Sequence, residues 1–250
     1  MSPPFRVLIP ARRASSRLPD KVLAEVAGRP LILHVLDRAR ASGAVSVHVA
    51  TDSEAVADRV LADGGDVVMT SAHHRSGTDR LAEAVSVLGF DAGDIVVNLQ
   101  GDEPAMPIAC LIQVAELLAE QPEAQMATLW SGIEVEAEWR DPNVVKLVAD
   151  HAGRALYFSR ASVPHPREGG WPRAQGRRHV GLYAYRAGAL AAWRTLAASP
   201  LEQLESLEQL RALQAGWWIA TAEAAAPIPV GIDTPEDLAR FRASLSQASV

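Results

Sequence analysis

Two groups of residues in this chain have the types and spacing to do chemistry. The first is basic and lies near the start, in Ile9-Pro10-Ala11-Arg12-Arg13-Ala14-Ser15-Ser16-Arg17-Leu18-Pro19-Asp20-Lys21. Arg12, Arg13, Arg17 and Lys21 are interleaved there with Ser15 and Ser16. Guanidiniums grip phosphate in a bidentate way, hydroxyls add donors, and small residues let the backbone come close to a ligand. Such a stretch can cradle a triphosphate. It is not a Walker loop, because the Gly-x4-Gly-Lys-Ser/Thr spacing is absent. By charge alone it would also suit a solvated basic loop. The second group is acidic. Gln100-Gly101-Asp102-Glu103-Pro104 and, far downstream, Gly231-Ile232-Asp233-Thr234-Pro235-Glu236-Asp237-Leu238 each put a carboxylate at a turn. Asp102 and Asp233 could hold a magnesium ion against a phosphate, since that ion is commonly bound by one or two carboxylates plus substrate oxygens. The plainer readings are a polar turn at 100–104 and a capping box made by Thr234 and Asp237. Capping does not use Asp233.

The elements that position these groups can be read from periodicity. Val7-Leu8-Ile9 is a buried strand feeding the basic loop, and the carboxyl end of a first strand is where open α/β sheets bind ligands. Pro30 to Ala41 is a helix with Leu31, Ile32, Val35, Leu36 and Ala39 in one stripe and Gly43 past its end. Val45 to Ala50 alternates like a strand, Thr51-Asp52-Ser53 offers a helix cap, and Val67-Val68-Met69 is a third strand. This β-α-β-α-β order predicts an α/β fold with a mainly parallel sheet and right-handed crossovers. Ile95 to Leu99 is the most strand-like run, and it delivers Gln100 to Pro104. Pro107 to Glu120 follows as a helix. Strands at 127–130, 144–148, 155–159 and 179–185 then predict a β-rich insertion over about 127–185, within a single domain spanning 1–250. Pro164 to Arg178, rich in Pro, Gly and Arg, reads as an exposed, mobile loop. Helices are expected over 187–198, from Pro200 through Arg211 and from Pro235 to about Leu245, with a strand at Trp217 to Ala220.

Other candidates sit on these elements. Gly77 and Thr78 open a helix where they could approach a base or ribose, and Arg80 could reach the base; capping by Ser76 or Thr78 explains the same pattern. Arg160 at a strand end and His179 at a strand start could face a cleft or serve structure. Glu208 and Gln209 could reach a polyhydroxylated ligand, or belong to an amphipathic surface helix. His73 and His74 lack a third ligand at usual metal spacing.

Composition narrows the classes. Hydrophobic residues make up 48%, enough for a sizeable core. A net charge of −6 argues against a broad nucleic-acid-binding face, while leaving room for a local basic pocket. Cys110 is the one cysteine, so an internal disulfide and a thiolate metal cluster are both excluded, as suits a cytoplasmic location. The first residues lack the apolar core of a signal peptide, and no apolar run approaches the ~18 residues of a membrane span.

Four stretches together resemble the 3-deoxy-manno-octulosonate (Kdo) cytidylyltransferase family, the CMP-Kdo synthetases of lipopolysaccharide biosynthesis: Ile9 to Arg12 with Ser15 to Lys21, Ser76 to Arg80, Gln100 to Pro104, and Gly231 to Leu238. Asn143-Val144-Val145-Lys146, Leu156-Tyr157-Phe158-Ser159-Arg160 and Leu201 to Arg211 extend the likeness to nearly the whole chain. The resemblance implies a Rossmann-like nucleotide-diphospho-sugar transferase fold, a homodimer, magnesium dependence, and the reaction of CTP with Kdo to give CMP-Kdo and pyrophosphate. It implies that the sugar's anomeric hydroxyl attacks the α-phosphorus in line. Carried over motif by motif, Ala11, Arg12, Ser15, Arg17 and Lys21 would hold the triphosphate, Thr78 and Arg80 would lie by the cytidine, and Gln100 and Asp102 would also meet the nucleotide. Asp102 and Asp233 would bind magnesium, with Arg12, Arg17 and Lys21 completing the catalytic set. Gln100, Arg160, His179, Tyr183, Glu208 and Gln209 would line the sugar pocket.

The chain departs from the family at Asp20 and Val22, where members often have Gly and Pro, and at Pro164-His165-Pro166-Arg167, where a Trp often follows the first Pro. An acid beside Lys21 could weaken phosphate binding or point to solvent. Rival readings are a cytidylyltransferase for another acid sugar such as neuraminate, a non-catalytic nucleotide sensor, and a glycosyltransferase. The sensor would not need the metal pair, and the glycosyltransferase would usually carry an Asp-x-Asp motif where this chain has Gln100-Gly101-Asp102.

Overall fold

The structure is a computed structural model in which residues 2–12, 18, 20–74, 76–173 and 175–248 are described. In chain order the elements are β1 (Phe5–Ala11), a 3-10 turn (Lys21–Leu23), β2 (Glu25–Val26), β3 (Arg29–Pro30), α1 (Leu31–Ala41), β4 (Ser46–Thr51), α2 (Glu54–Ala62), β5 (Asp66–Met69), α3 (Gly77–Leu88), β6 (Ile95–Asn98) and α4 (Ile108–Glu120). They continue with β7 (Met126–Gly132), α5 (Glu136–Arg140), β8 (Lys146–Ala149), β9 (Ala155–Ser159), β10 (Arg177–Arg186), α6 (Ala187–Trp193), α7 (Pro200–Glu205), α8 (Gln209–Gln214), β11 (Ile219–Glu223) and α9 (Pro235–Ala248).

One sheet runs through the molecule in the order β11-β7-β10-β6-β1-β4-β5. Strands β6, β1, β4 and β5 are parallel, β11 is parallel to β7, and β10 runs antiparallel between β6 and β7. Alternation along β1 explains its burial on both faces. Phe5, Val7, Ile9 and Ala11 pack into the core beneath α1 and α4, while Leu8 joins the core formed with α3 and α6. The chain leaves β1 toward β4 on one side and returns to β6 on the other. That reversal opens a crevice at the carboxyl ends of β1 and β6. Because β10 is antiparallel to β6, with Tyr183 opposite Asn98, its first residues run past the same end of the sheet.

Several local expectations shift. Of the strands over 127–185, β7 and β10 lie in the central sheet, and β8 and β9 branch from it through Arg178 and Lys146. Arg177 and Arg178 belong to β10 rather than to the preceding loop, held by pairing to Gly132 and Ser131. The helix expected from Pro200 through Arg211 is two helices. Ser206 takes a left-handed conformation (φ 51°) and ends α7, so Leu207 and Glu208 lead into a second helix. Leu201, Leu204, Leu207 and Leu210 recur every third residue, which fits this break, since one helix turning 100° per residue could not keep all four on one face. Trp217 and Trp218 precede β11, because the turn at Gly216 ties Trp217 N–H back to the Ala212 carbonyl. Asp20 also sits in the left-handed region (φ 52°, ψ 26°), a conformation Gly and, less often, Asp or Asn adopt. This gives a backbone reason for the glycine often found there in the resembled family.

Candidate active site

The crevice is a cleft of about 520 Å³. Its floor comes from the ends of β1 and β6, which place Arg12 beside the Gln100-Gly101-Asp102 turn. Gly101 sits at a close approach: a Cβ there would lie 3.1 Å from the Pro10 carbonyl oxygen and 3.4 Å from Val22. Ile232 N–H donates to the Asp102 carbonyl (3.0 Å), so the 231–234 turn is pinned against the 100–103 turn. Asp237 accepts from the N–H groups of Asp233 (3.0 Å) and Thr234 (2.8 Å), and Thr234 Oγ1 accepts from Asp237 N–H (3.2 Å). The capping box at the start of α9 is therefore real, and it fixes the backbone that carries Asp233.

The two acidic turns meet through a lysine. Lys21 Nζ lies 2.5 Å from Asp102 Oδ2 and 3.1 Å from Asp233 Oδ1. Burial works against its charge, yet the Asp102 and Asp233 carboxylates outweigh that and hold its pKa above the ordinary lysine value. Glu103, beside them, is pushed up to about 7, first by burial and then by the charges of Asp102 and Asp233. Two hard carboxylates from separate turns thus converge on one cation. That donor set fits magnesium, which takes one or two carboxylates and completes its shell with phosphate oxygens and water. Among the described residues no group of three or more His, Cys, Asp or Glu side chains could hold a metal by itself, so substrate oxygens would have to contribute.

The other end of the cleft is polar and aromatic. Ser76 caps α3 by accepting from Asp79 N–H (3.1 Å), which releases Thr78 for another role. Thr78 Oγ1 donates to Glu208 Oε2 at 2.7 Å. Burial raises the Glu208 pKa, while hydrogen bonds from Thr78 and Ser76 pull it back. Arg80 is buried (3% exposed), with Nη1 donating to Thr70 Oγ1 (2.5 Å) and Nη2 lying 3.3 Å from Asp52 Oδ2. His179, Tyr183 and Tyr185 line one wall with ring centroids 5.2 and 5.8 Å apart. Thr128 Oγ1 lies 3.1 Å from His179 Nε2, and burial pushes that imidazole down to about 3, so it is neutral. Gln100 Nε2 donates to Asn98 Oδ1 (3.3 Å), and both line the cleft with the buried Gln209.

The structure thus brings Arg12, Lys21, Thr78, Arg80, Gln100, Asp102, His179, Tyr183, Glu208, Gln209 and Asp233 to one cleft. Ala11 is buried at the end of β1, one residue from Arg12. Ser15 and Arg17 lie outside the described residues. Arg160 is not brought to the cleft wall. Its guanidinium donates to the carbonyls of Glu205 (2.6 Å), Ser206 (3.3 Å) and Pro142 (2.9 Å), and its own N–H donates to Glu205 Oε2 (2.7 Å). It therefore braces the break between α7 and α8 from behind. Sequence reasoning missed Asn98, Glu103 and Tyr185. Asn98 carried a signal: it is a polar residue in an otherwise apolar buried strand. Tyr185 follows Tyr183 by two residues on the same strand, the spacing of one sheet face.

A switch-point crevice with an anion-binding end and a polyol-suited end defines the class: an α/β protein that handles a nucleotide together with a second polar substrate. Residues 6–223 match the profile of the cytidylyltransferase family. The chain is 51% identical to 3-deoxy-manno-octulosonate cytidylyltransferase of Serratia proteamaculans (strain 568), over 96% of this chain and 98% of that one. It is 48% identical to the protein of the same name from Hahella chejuensis (strain KCTC 2396), over 98% and 99%. A solved structure of CMP:2-keto-3-deoxy-manno-octonic acid synthetase complexed with CTP superposes with a TM-score of 0.90 at 41% identity, covering 98% of this chain and all of that one. The chain belongs to the 3-deoxy-manno-octulosonate cytidylyltransferase family.

Proposed function

We propose that this protein transfers CMP from CTP to Kdo, releasing pyrophosphate. The observation that carries the reading is the two-ended cleft. Arg12, Lys21, Asp102 and Asp233 form an end suited to a metal-bound triphosphate, adjoining a pocket of Thr78, His179, Tyr183, Glu208 and Gln209 suited to a hydroxylated acid sugar. The likeness to a synthetase solved with CTP supports the nucleotide assignment.

In this reading the sugar's anomeric oxygen forms a bond to the α-phosphorus of CTP, the bond to the bridging oxygen breaks, and the hydroxyl proton passes to solvent. Arg12 and Lys21 offset charge on the departing pyrophosphate. Thr78 and Glu208 fix a polar edge against which the two substrates meet, and neutral His179 offers a hydrogen bond without adding charge. Such positioning lowers the barrier by holding the reacting atoms in line. A magnesium ion held by Asp102 and Asp233 would supply charge neutralisation and acidify a bound hydroxyl. Magnesium dependence and a homodimeric state belong to the same proposal.

The direct test is pyrophosphate release from CTP and magnesium with Kdo, neuraminate or no acceptor. Release with Kdo alone is expected. Release with neuraminate instead would overturn the sugar assignment, and no release with either acceptor would overturn the reading. Chelation by EDTA should abolish release, and light scattering should give twice the 26.7 kDa chain mass.

A further inference from the structure

The position between Asp102 and Asp233 is spanned by a cation that belongs to the chain itself. Lys21 Nζ reaches both carboxylates, with its side chain only 10% exposed. The same oxygens are the ones a divalent ion would need, and an ammonium and a divalent ion cannot share them without strong mutual repulsion. The frame around the lysine is independent of it. The Ile232 N–H to Asp102 carbonyl bond joins the two turns, and Asp237 holds the backbone at Asp233 and Thr234. The carboxylates therefore stay together whether or not Lys21 lies between them. Lys21 has a firm base in the 3-10 turn, where its N–H donates to the Leu18 carbonyl and its carbonyl accepts from Ala24 N–H. Its flexible four-carbon stem can swing from that base without moving the backbone.

We propose that Lys21 is an internal place-holder for the divalent ion, seated between Asp102 and Asp233 in the nucleotide-free protein and released only when a triphosphate offers its ammonium new anionic oxygens. The proposal rests on the assignment of Asp102 and Asp233 as metal carboxylates. It makes metal loading conditional on nucleotide. A free divalent ion must displace a partly desolvated ammonium from both carboxylates, whereas a triphosphate beside Arg12 supplies a second anionic partner for Lys21. Metal and CTP therefore bind with positive coupling, and by linkage each tightens the other by the same factor. Lys21 acts first as a counter-ion to the two carboxylates and then as a phosphate ligand.

The test uses Mn²⁺ as the probe, read by loss of the free-ion EPR signal, with the full chain and no nucleotide. Wild type, Lys21→Met and Lys21→Arg are compared after circular dichroism has verified their folds. Lys21→Met should bind Mn²⁺ at least tenfold more tightly than wild type, and Lys21→Arg should stay close to wild type. Equal or weaker Mn²⁺ binding by Lys21→Met overturns the proposal. Should that variant not fold, wild type labelled with 15N-lysine decides: the Lys21 Nζ signal should stay in place with Mg²⁺ alone and move when CTP is added with it. Movement with Mg²⁺ alone would overturn the proposal. With CTP added, absence of Mn²⁺ binding by all three proteins beyond that of CTP alone would sink the metal assignment as well. Failure to use Kdo would leave these affinities unchanged, so it would count against the proposed reaction alone.

Discussion

Thr78 at the start of α3 and Glu208 at the start of α8 are 2.7 Å apart, joined by a hydroxyl-to-carboxylate hydrogen bond across the cleft. The family resemblance assigns Thr78 to the nucleoside side and Glu208 to the sugar side. In the proposed function, their contact lies between the nucleotide and the sugar.

Breaking that contact should affect both substrates. Thr78→Val keeps the shape and removes the hydroxyl, leaving a half-buried carboxylate short of a donor. A hydrogen bond to a charged group is worth roughly 1.5–3 kcal/mol, so kcat/KM for pyrophosphate release should fall about 10- to 100-fold. Undiminished kcat/KM in a folded Thr78→Val protein would show that the bond only holds structure.

Arg160 is expected to act through the 206–209 segment. Arg160→Ala removes donors to the Glu205, Ser206 and Pro142 carbonyls. Stability should drop by roughly 1–3 kcal/mol, and KM for Kdo should rise more than KM for CTP. Arg160→Lys, with a point charge in place of the fork, should fall between. Urea denaturation and separate substrate titrations would check both. A variant with weakened Kdo use and wild-type stability would favour direct sugar contact instead.

Asp102→Asn keeps the size of the side chain and discards its charge. Turnover should fall by roughly 100-fold or more, the scale seen when one charge-stabilising group is removed from a transition state. Far-UV circular dichroism should be unchanged, because the Asp102 carbonyl that anchors Ile232 N–H is retained. Near-wild-type turnover at ordinary magnesium would remove Asp102 from the chemistry.

His179 predicts an acid-side loss of stability. Burial lowers its pKa from 6.5 to about 3 in the folded protein. Between those values the unfolded chain binds a proton that the folded chain does not, so stability rises with pH across the window and is lost as pH falls. From pH 7 to pH 5 this group should cost about 1–2 kcal/mol. His179→Gln should lose that much less over the same interval in denaturant titrations. Parallel pH curves for the two proteins would show that the imidazole protonates freely when folded.

The parallel core was legible because strands buried on both faces read as near-continuous apolar runs, and Val7-Leu8-Ile9 and Ile95-Val96-Val97 are such runs. The turns that carry Asp102 and Asp233 were legible for a similar reason. Gly101 and the Thr234–Asp237 capping box act over a few residues, so their chemistry is written in adjacent positions. The basic loop declared its charge, and the likeness of four motifs declared the family.

Pairings between distant residues were not legible. Nothing local says that Lys21 reaches Asp102 and Asp233 together, that Thr78 meets Glu208, or that Arg160 spends its guanidinium on backbone carbonyls. The Lys21 contacts depend on the parallel pairing of β1 with β6 and on the Ile232 N–H bond to the Asp102 carbonyl, and the Thr78 and Arg160 contacts depend on the break at Ser206, which brings Glu208 and Gln209 to the cleft. Local propensity and periodicity determined the elements and the chemistry that each could offer. The packing of the sheet decided which groups face one another, because side-chain partners far apart in the chain are selected by the free energy of the whole core rather than by any single segment.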